Sequence, residues 1–215
     1  MTLRSRWDAL PTWGRWGALG GAGLLAALLL LTGGWYWSER RQEAAQTAFD
    51  QAFILYRVAV GQESPERLQQ AAQALEGLIR NYPSHRTTPL VYYSLGNLYY
   101  RVRAYAKAAE NFERAARTAR GGIVGLSQLG LGYSWEGQGD PARALAAYEE
   151  SLRGRDPQDP LYGELLLAVA RSQLVLKRPA EAKVTYERFL KDLPGSPQVQ
   201  DVKARLARVE EARTP

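Results

Sequence analysis

The fold is decided by two related stretches of sequence, LGNLY at residues 95–99 and LGYSW at residues 131–135. In each, an aromatic residue follows three residues after a Leu-Gly pair, and the two glycines are 36 residues apart. A third copy 38 residues further on has alanine in place of the glycine, and a fourth, weaker copy precedes the first. The matching positions are Gly96, Ala108 and Phe112; Gly132, Ala144 and Tyr148; Ala170, Ala182 and Tyr186; and Ala59, Ala71 and Leu75. A recurring pattern of this period predicts a stack of similar units.

Helix breakers divide the chain around these stretches into segments with apolar residues every three or four positions. Such spacing is typical of amphipathic helices, and no alternating run of β-branched residues predicts a strand. Asp140 precedes Pro141 and Ser64 precedes Pro65, so each is expected to cap a helix whose first residue is the proline. The sequence therefore predicts an all-α chain of short helix pairs.

The pattern of Leu-Gly, Tyr, Ala, Phe and closing Pro resembles the tetratricopeptide repeat, a helix–turn–helix unit. The resemblance implies an α-solenoid of about three to four helical hairpins, because no pair buries its apolar face without a neighbour. We expect a repeat domain over residues 39–215 with a capping helix at 197–212. The expected repeats are about 52–85, 89–122, 125–158 and 163–196.

The N-terminal part carries a long apolar segment. No charged residue lies between Arg15 and Glu39, and a helix over these 23 positions is roughly 34 Å long, enough to cross a bilayer. Aromatic residues flank it on both sides, and no signal-peptidase site follows it. We expect a cytoplasmic tail at 1–15 and a single transmembrane helix at 16–38. A buried core helix is the alternative.

The location of the domain follows from this anchor. The excess of arginine in the tail predicts that the N-terminus lies inside and the large domain outside, which in a bacterium is the periplasm. We therefore expect a single-pass protein of a bacterial inner membrane, with its N-terminus cytoplasmic and its repeats periplasmic. The anchor is expected to continue into one helix as far as Val60; the alternative is a hinge at Thr32-Gly33-Gly34, where two glycines weaken a helix.

Composition argues against an enzyme. The chain has 215 residues, a net charge of +6, no cysteine and a single histidine, His85, so it offers few nucleophiles, general bases or metal ligands. We expect no catalytic residue, no metal and no cofactor. The arginines near residue 110 alternate with Glu110 and Glu113, a pattern typical of a solvated helix face, so no nucleic-acid partner is expected.

The repeat resemblance also implies a binding surface, since in this family the first helix of each pair lines the concave side. Matching positions of this chain give a tyrosine-rich wall suited to a protein or peptide. The expected groove residues are Tyr93, Asn97, Tyr100, Arg101, Leu129, Tyr133, Glu136 and Arg171. Tyr93 stands where carboxylate-clamping repeats have lysine, which argues against that subtype.

The anchor, the juxtamembrane helix and the repeats together resemble the YfgM-type ancillary subunit of the Sec translocon. That resemblance implies a membrane-anchored scaffold that binds polypeptide beside the translocon or periplasmic chaperones. The segment FLKDLP at residues 189–194 is also similar to repeats of cell-division and outer-membrane assembly proteins. The alternative is therefore a structural subunit of such an envelope complex, acting through its anchor and convex face.

Overall fold

A computed structural model describes residues 12–62 and 64–211, with the side chains of residues 28–36 and 39–62 in the first helix and of all residues from 64 to 211. Within these ranges the chain is all-helical and has no strand. The helices are α1 (Thr12–Gln62), α2 (Pro65–Asn81), α3 (Thr88–Arg101), α4 (Tyr105–Thr118), α5 (Gly122–Gly137), α6 (Pro141–Leu152), α7 (Tyr162–Val175), α8 (Pro179–Asp192) and α9 (Val199–Glu211).

The chain forms two compact units, Met1–Asp50 and Gln51–Pro215. In the first unit, α1 passes through Thr32-Gly33-Gly34 without a break, and Thr32 donates a hydrogen bond from Oγ1 to the carbonyl of Leu28 (2.7 Å). The continuous helix expected here is therefore present, and the hinge at these glycines is not.

The predicted tail at 1–15 lies mostly outside the described residues, whereas the predicted transmembrane helix at 16–38 lies within α1 but has described side chains only at residues 28–36. Residues 1–11 are not described, and neither are the side chains of residues 12–27, 37 and 38. Among the residues that are described, no helix is both long and apolar enough to cross a membrane.

In the second unit, consecutive helices pack as hairpins that stack on one another. From α2 onward each helix contacts the next, α3 also contacts α5, and α9 packs on α8. Phe112 of α4 shows how neighbouring hairpins fit together: a Cβ placed on Gly96 of α3 would lie 2.7 Å from its ring, and one on Gly130 of α5 would lie 2.6 Å away. The ring therefore fills the space between two hairpins, and the predicted tetratricopeptide-like solenoid is confirmed.

The turns inside the hairpins α3–α4, α5–α6 and α7–α8 are alike in backbone detail. Positive φ angles occur at Arg103 (60°), Gly139 (76°) and Lys177 (58°), whose spacing is that of the repeat. The residue after each donates a backbone hydrogen bond to the carbonyl five residues earlier: Ala104 to Tyr99 (2.8 Å), Asp140 to Trp135 (2.9 Å) and Arg178 to Gln173 (2.8 Å). A helix that ends in a left-handed residue makes this bond.

The two predicted caps differ. The Asp140 carboxylate accepts a hydrogen bond from the backbone N–H of Arg143 (3.0 Å), which confirms it as the cap of α6. Ser64 lies at the N-cap position of α2, but its hydroxyl accepts no hydrogen bond from the backbone of the helix and instead donates one to the Glu66 carboxylate (2.5 Å). The prediction of a side-chain cap at Ser64 is therefore wrong, because the hydroxyl is oriented toward the Glu66 carboxylate and not toward a backbone N–H of the helix.

Candidate functional site

The candidate site is the surface formed by the first helices of three hairpins, α3, α5 and α7, which we name the first-helix face. The structure places the predicted groove residues on these helices: Tyr93, Asn97, Tyr100 and Arg101 on α3, Leu129, Tyr133 and Glu136 on α5, and Arg171 on α7. Their contacts show which of them form one connected group.

A row of tyrosines connects α3 to α5. The ring of Tyr100, which is 38% exposed, lies with its centroid 5.5 Å from that of Tyr105 and 6.3 Å from that of Tyr133. Tyr133 in turn makes an edge contact with Tyr148 of α6 at 5.6 Å. Three successive ring contacts thus join four tyrosines of the hairpins α3–α4 and α5–α6, in the order Tyr105, Tyr100, Tyr133 and Tyr148.

An ion pair connects α5 to α7. The guanidinium of Arg171 donates two hydrogen bonds to the Glu136 carboxylate, from Nε (3.0 Å) and from a terminal nitrogen (2.9 Å). This paired geometry is the strong form of an arginine–carboxylate contact. The hydrogen bonds to Glu136 raise the pKa of Arg171 above its usual range, although partial burial opposes the rise. Arg171 therefore carries its charge at every physiological pH.

A second cross-hairpin bond lies beside this pair. The hydroxyl of Tyr133 donates to the carboxylate of Glu164 on α7. Burial, and then this hydrogen bond, raise the pKa of Tyr133. Burial also raises the pKa of Tyr148, and the nearby negative charge of Glu136 raises it further. Although Glu136 lies close by, the buried Tyr148 hydroxyl makes no hydrogen bond of ordinary geometry with any of the described residues.

The α3 end of the face includes a tyrosine from α1. Burial raises the pKa of Tyr56, and the side chain of Asn97 and the charge of Arg101, both nearby, reduce that rise. Tyr93 packs against Phe112 with ring centroids 5.8 Å apart. The α3 end is therefore a polar and aromatic surface like the centre of the face.

Leu129 differs from the other predicted residues. It is only 7% exposed and belongs to the core cluster that includes Tyr148 and Leu166. It therefore supports the face from below and offers a partner almost no surface. The periodic pattern of the repeat cannot distinguish a lining position from a supporting one.

Several residues of the connected group lie outside the predicted set. Tyr56, Tyr105 and Tyr148 come from α1, α4 and α6, and the family pattern considers only first-helix positions. Glu164 stands at an inward position of its own unit and could have been included on that signal. Tyr105 and Tyr148 join the face because their side chains reach the adjacent helix, where their ring centroids lie 5.5 Å from that of Tyr100 and 5.6 Å from that of Tyr133, respectively.

A separate groove lies between α2 and α4, with α3 as its floor; we name it the α2–α4 groove. It contains two cavities of about 410 and 290 Å³. The Tyr99 hydroxyl donates to Glu76 at the boundary between them, and the Lys107 amine lies 5.2 Å from the centre of the Tyr99 ring. At the other end, Arg114 lies over the ring of Tyr92 at 5.7 Å.

The described residues offer no group of three or more His, Cys, Asp or Glu side chains that could hold a metal ion. His85, the one histidine, lies in the loop between α2 and α3, and its Nδ1 is 2.6 Å from the Thr87 hydroxyl. We find this ring partly buried and tied to its own loop.

Comparison with known proteins supports the repeat assignment. Family models described as tetratricopeptide repeat match residues 66–123 and 93–160, and residues 137–206. No curated protein matches the sequence. A crystal structure of nearly identical TPR-like repeats from Podospora anserina, classed as a kinesin light chain, aligns with a TM-score of 0.63 at 16% identity, covering 75% of this chain and 86% of that one.

A crystal structure of a point variant of the same fungal protein gives the same values, a TM-score of 0.63 at 16% identity over 75% of this chain and 86% of that one. A thermophilic TPR protein of Thermus thermophilus aligns at 17% identity over 74% of this chain and 98% of that one, with a TM-score of 0.33. At such identities the fungal structures are similar to this chain in fold alone.

Proposed function

This chain belongs to the tetratricopeptide repeat family, and from that premise we propose that it is a scaffold whose first-helix face holds a polypeptide partner. Repeats of this family generally mediate protein–protein interaction. The observation that carries the proposal is the connected row from Tyr105 through Tyr100 and Tyr133 to the Glu136–Arg171 pair. Aromatic rings anchor a partner by area, and fixed polar groups orient it.

The test is the removal of one exposed ring. Tyr100→Ala should abolish co-purification of the partner, because it removes an exposed ring that would anchor the partner. The fold should be retained, since Tyr100 is 38% exposed and is not part of the buried core. Tyr92→Ala is the matched control, since its ring lies in the α2–α4 groove on the same helix. Circular dichroism should show equal helical content in both variants. Unchanged partner recovery with Tyr100→Ala would exclude the first-helix face from the function.

We further propose that α1 anchors the scaffold to a bacterial inner membrane, with the repeats in the periplasm. Two observations support this: the uncharged stretch at 16–38, and the exposure of consecutive leucines, 60% at Leu28 and 77% at Leu30. Such apolar surface is stable in lipid and costly in water. A reporter fused to each terminus should show the N-terminus cytoplasmic, and recovery of the chain in the soluble fraction after lysis would contradict the anchor.

The proposed partners are the Sec translocon and periplasmic chaperones, on the resemblance of the anchor and repeats to the YfgM type. We propose no enzymatic activity, cofactor or nucleic-acid partner for this chain. A photocrosslinking amino acid at position 100, used in living cells, identifies the partner directly. Adducts with cytoplasmic proteins alone would contradict the proposed side of the membrane.

A structural role in another envelope complex is the second candidate, because the α2–α4 groove offers a cavity of about 410 Å³ away from the first-helix face. In that role the groove and the anchor assemble the complex. Replacing residues 16–38 by an unrelated transmembrane helix, or Tyr99 by alanine, should then disrupt assembly, and Tyr100→Ala should not. The opposite pattern favours the first-helix face.

A further inference from the structure

We propose that the α2–α4 groove binds an amphipathic helix of a partner protein, which carries two apolar side chains about two turns apart and a carboxylate between them. The groove is separate from the first-helix face, so the inference does not depend on the partner proposed there. In the structural role, the second candidate function, it names the segment that the groove holds. It follows from the two cavities of the groove, from their spacing along α3 and from one lysine between them.

The groove has apolar surface that no described helix covers. The larger cavity, about 410 Å³, is lined in part by Pro65, Ala72 and Val102. The smaller cavity, about 290 Å³, is lined in part by Ile79 and Tyr92. None of these five side chains is buried, and Val102 is 47% exposed. Apolar surface of this kind, rimmed by polar groups, is typical of a site that binds another protein.

The spacing of the cavities fits a helix. On the floor of the groove, Tyr92 and Leu95 line the smaller cavity, and Leu98 and Val102 line the larger one. These pairs are six to seven positions apart on α3, which is roughly 10 Å along the helix axis. A helix laid along the groove presents residues i and i+7 on one side at the same spacing, roughly 10 Å. An extended segment repeats on one side at roughly 7 or 13 Å and fits less well.

Lys107 supplies the charge for recognition. Five charged side chains line the two cavities, and four of them form ion pairs within the protein. The pairs are Glu76 with Arg80 (3.9 Å) and Glu110 with Arg114 (2.8 Å). The fifth, Lys107, lines both cavities and forms no ion pair with any of the described residues. A carboxylate placed between the two apolar side chains of the partner would therefore pair with this amine.

Other occupants complement the groove less completely. A basic segment would place a like charge beside Lys107, which opposes binding. An acidic segment without apolar residues would leave the cavities unfilled. A second copy of this chain could offer the exposed Ile54, Leu55 and Val58 of α1, but these three span little more than one turn and could fill one cavity only.

The test measures fluorescence anisotropy of labelled peptides of equal length with the purified full-length chain. The probe is a helical peptide with two leucines seven residues apart and a glutamate midway between them. It should bind, and binding should weaken at high salt because a charge pair contributes. Replacing both leucines by alanine should weaken it at least about tenfold, since their burial is lost. A central proline, which breaks the helix, should weaken it similarly.

Variants of the protein locate the bound probe. Lys107→Glu should weaken binding of the probe about fivefold, and should strengthen by a similar factor the binding of a peptide with lysine in place of its glutamate. Lys203→Glu, the same charge change at an exposed position of α9, is the matched control and should bind like the parent. Gln69→Trp, which fills the larger cavity from an exposed position of α2, should weaken binding about tenfold. Thermal unfolding should show that these variants keep the fold.

Tyr100→Ala separates the groove from the first-helix face and should bind the probe like the parent. Weaker binding in Tyr100→Ala, with unchanged binding in Gln69→Trp, would place the probe on the first-helix face and overturn the inference. No binding, equal binding of the glutamate and lysine peptides, or equal binding of the alanine or proline peptide would also overturn it. In each case the proposed function stands or fails separately, by partner recovery with Tyr100→Ala and by crosslinking from position 100.

Discussion

Gly96 shows at the scale of one residue why a small side chain is needed between paired helices. A Cβ at this position would lie 2.7 Å from the ring of Phe112, which is itself held from the other side by Gly130. The ring is fully buried and cannot move away. Close approach of α3 and α4 therefore depends on the absence of a side chain here.

We predict that Gly96→Ala lowers the free energy of unfolding by about 1–3 kcal/mol, the usual cost of overpacking a core. Gly77→Ala is the control, because in α2 its new methyl group would meet only the flexible end of Arg80 at 3.9 Å. That variant should gain about 0.5–1 kcal/mol from helix propensity. Urea unfolding of both variants is the measurement, and equal stability would show that Phe112 does not fix the helix spacing.

The turn position of the hairpin makes a second prediction at this scale. The left-handed backbone conformation costs a residue other than glycine about 1–2 kcal/mol. Arg103 and Lys177 both adopt it, at the turn position that Gly139 occupies in the hairpin α5–α6. Arg103→Gly and Lys177→Gly should therefore each raise the free energy of unfolding by about 1 kcal/mol, and Gly139→Ala should lower it by a similar amount. Thermal unfolding compares the three, and a loss of stability in both glycine variants would contradict the shared turn.

Tyr99 makes the chain sensitive to high pH. Burial, followed by the hydrogen bond to Glu76, raises the pKa of Tyr99 to about 12, compared with about 10 in the unfolded chain. Between these values the unfolded state has lost the proton and the folded state keeps it, so stability falls as pH rises from about 10 to 12. Tyr99→Phe should lose less stability over that interval. Parallel curves of unfolding free energy against pH for parent and variant would contradict this assignment.

At the scale of elements, α5 and α7 are joined by side chains across the hairpin boundary. The side chain of Glu136 is 26% exposed and that of Arg171 is 43% exposed, so solvent partly screens the attraction between their charges. A double-mutant cycle with Glu136→Gln and Arg171→Met should give a coupling of about 0.5–1 kcal/mol, smaller in high salt. Urea unfolding of the four proteins gives this value. Additive effects would mean that the pair orients the face without stabilising the stack.

At the scale of the whole molecule, α9 covers the apolar side of α8 in the last of the described hairpins. Val202 and Val209 are buried against the last hairpin, and Lys183 of α8 is paired with Glu210 (2.6 Å). In a linear array each unit is stabilised by its neighbours, so exposing the last hairpin affects the rest.

Ending the chain after Ser196 should therefore lower the unfolding midpoint and promote aggregation, because the apolar face of α8 becomes exposed. Lys183→Ala, which removes the ion pair and leaves α9 in place, is the control and should change stability by less than about 1 kcal/mol. Light scattering during heating reports aggregation. A truncated chain that melts like the parent would show that α9 is dispensable.

The periodic sequence determined the fold of this protein by itself. The close approach of the two helices in a hairpin is specified by a glycine, such as Gly96 or Gly132, and by an aromatic ring at a fixed spacing after it. Local patterns such as Asp140-Pro141 specify where helices begin. These signals are readable because helix formation and hairpin contacts involve residues close in sequence. The placement of the predicted residues on first helices could be read from the repeat for the same reason, but the repeat does not show which of them line the surface and which, like Leu129, support it from below.

Only the tertiary structure decided how those positions work together. Tyr133 and Glu164 are 31 residues apart, Glu136 and Arg171 are 35 apart, and the burial of Leu129 depends on several helices at once. Such contacts are set by the angle and distance between whole hairpins, which no local spacing encodes. The sequence therefore predicted a tyrosine-rich surface. The packing of α3, α5 and α7 determined which of its charges are paired and which of its rings are exposed, because pairing depends on distances of a few ångströms between separate elements.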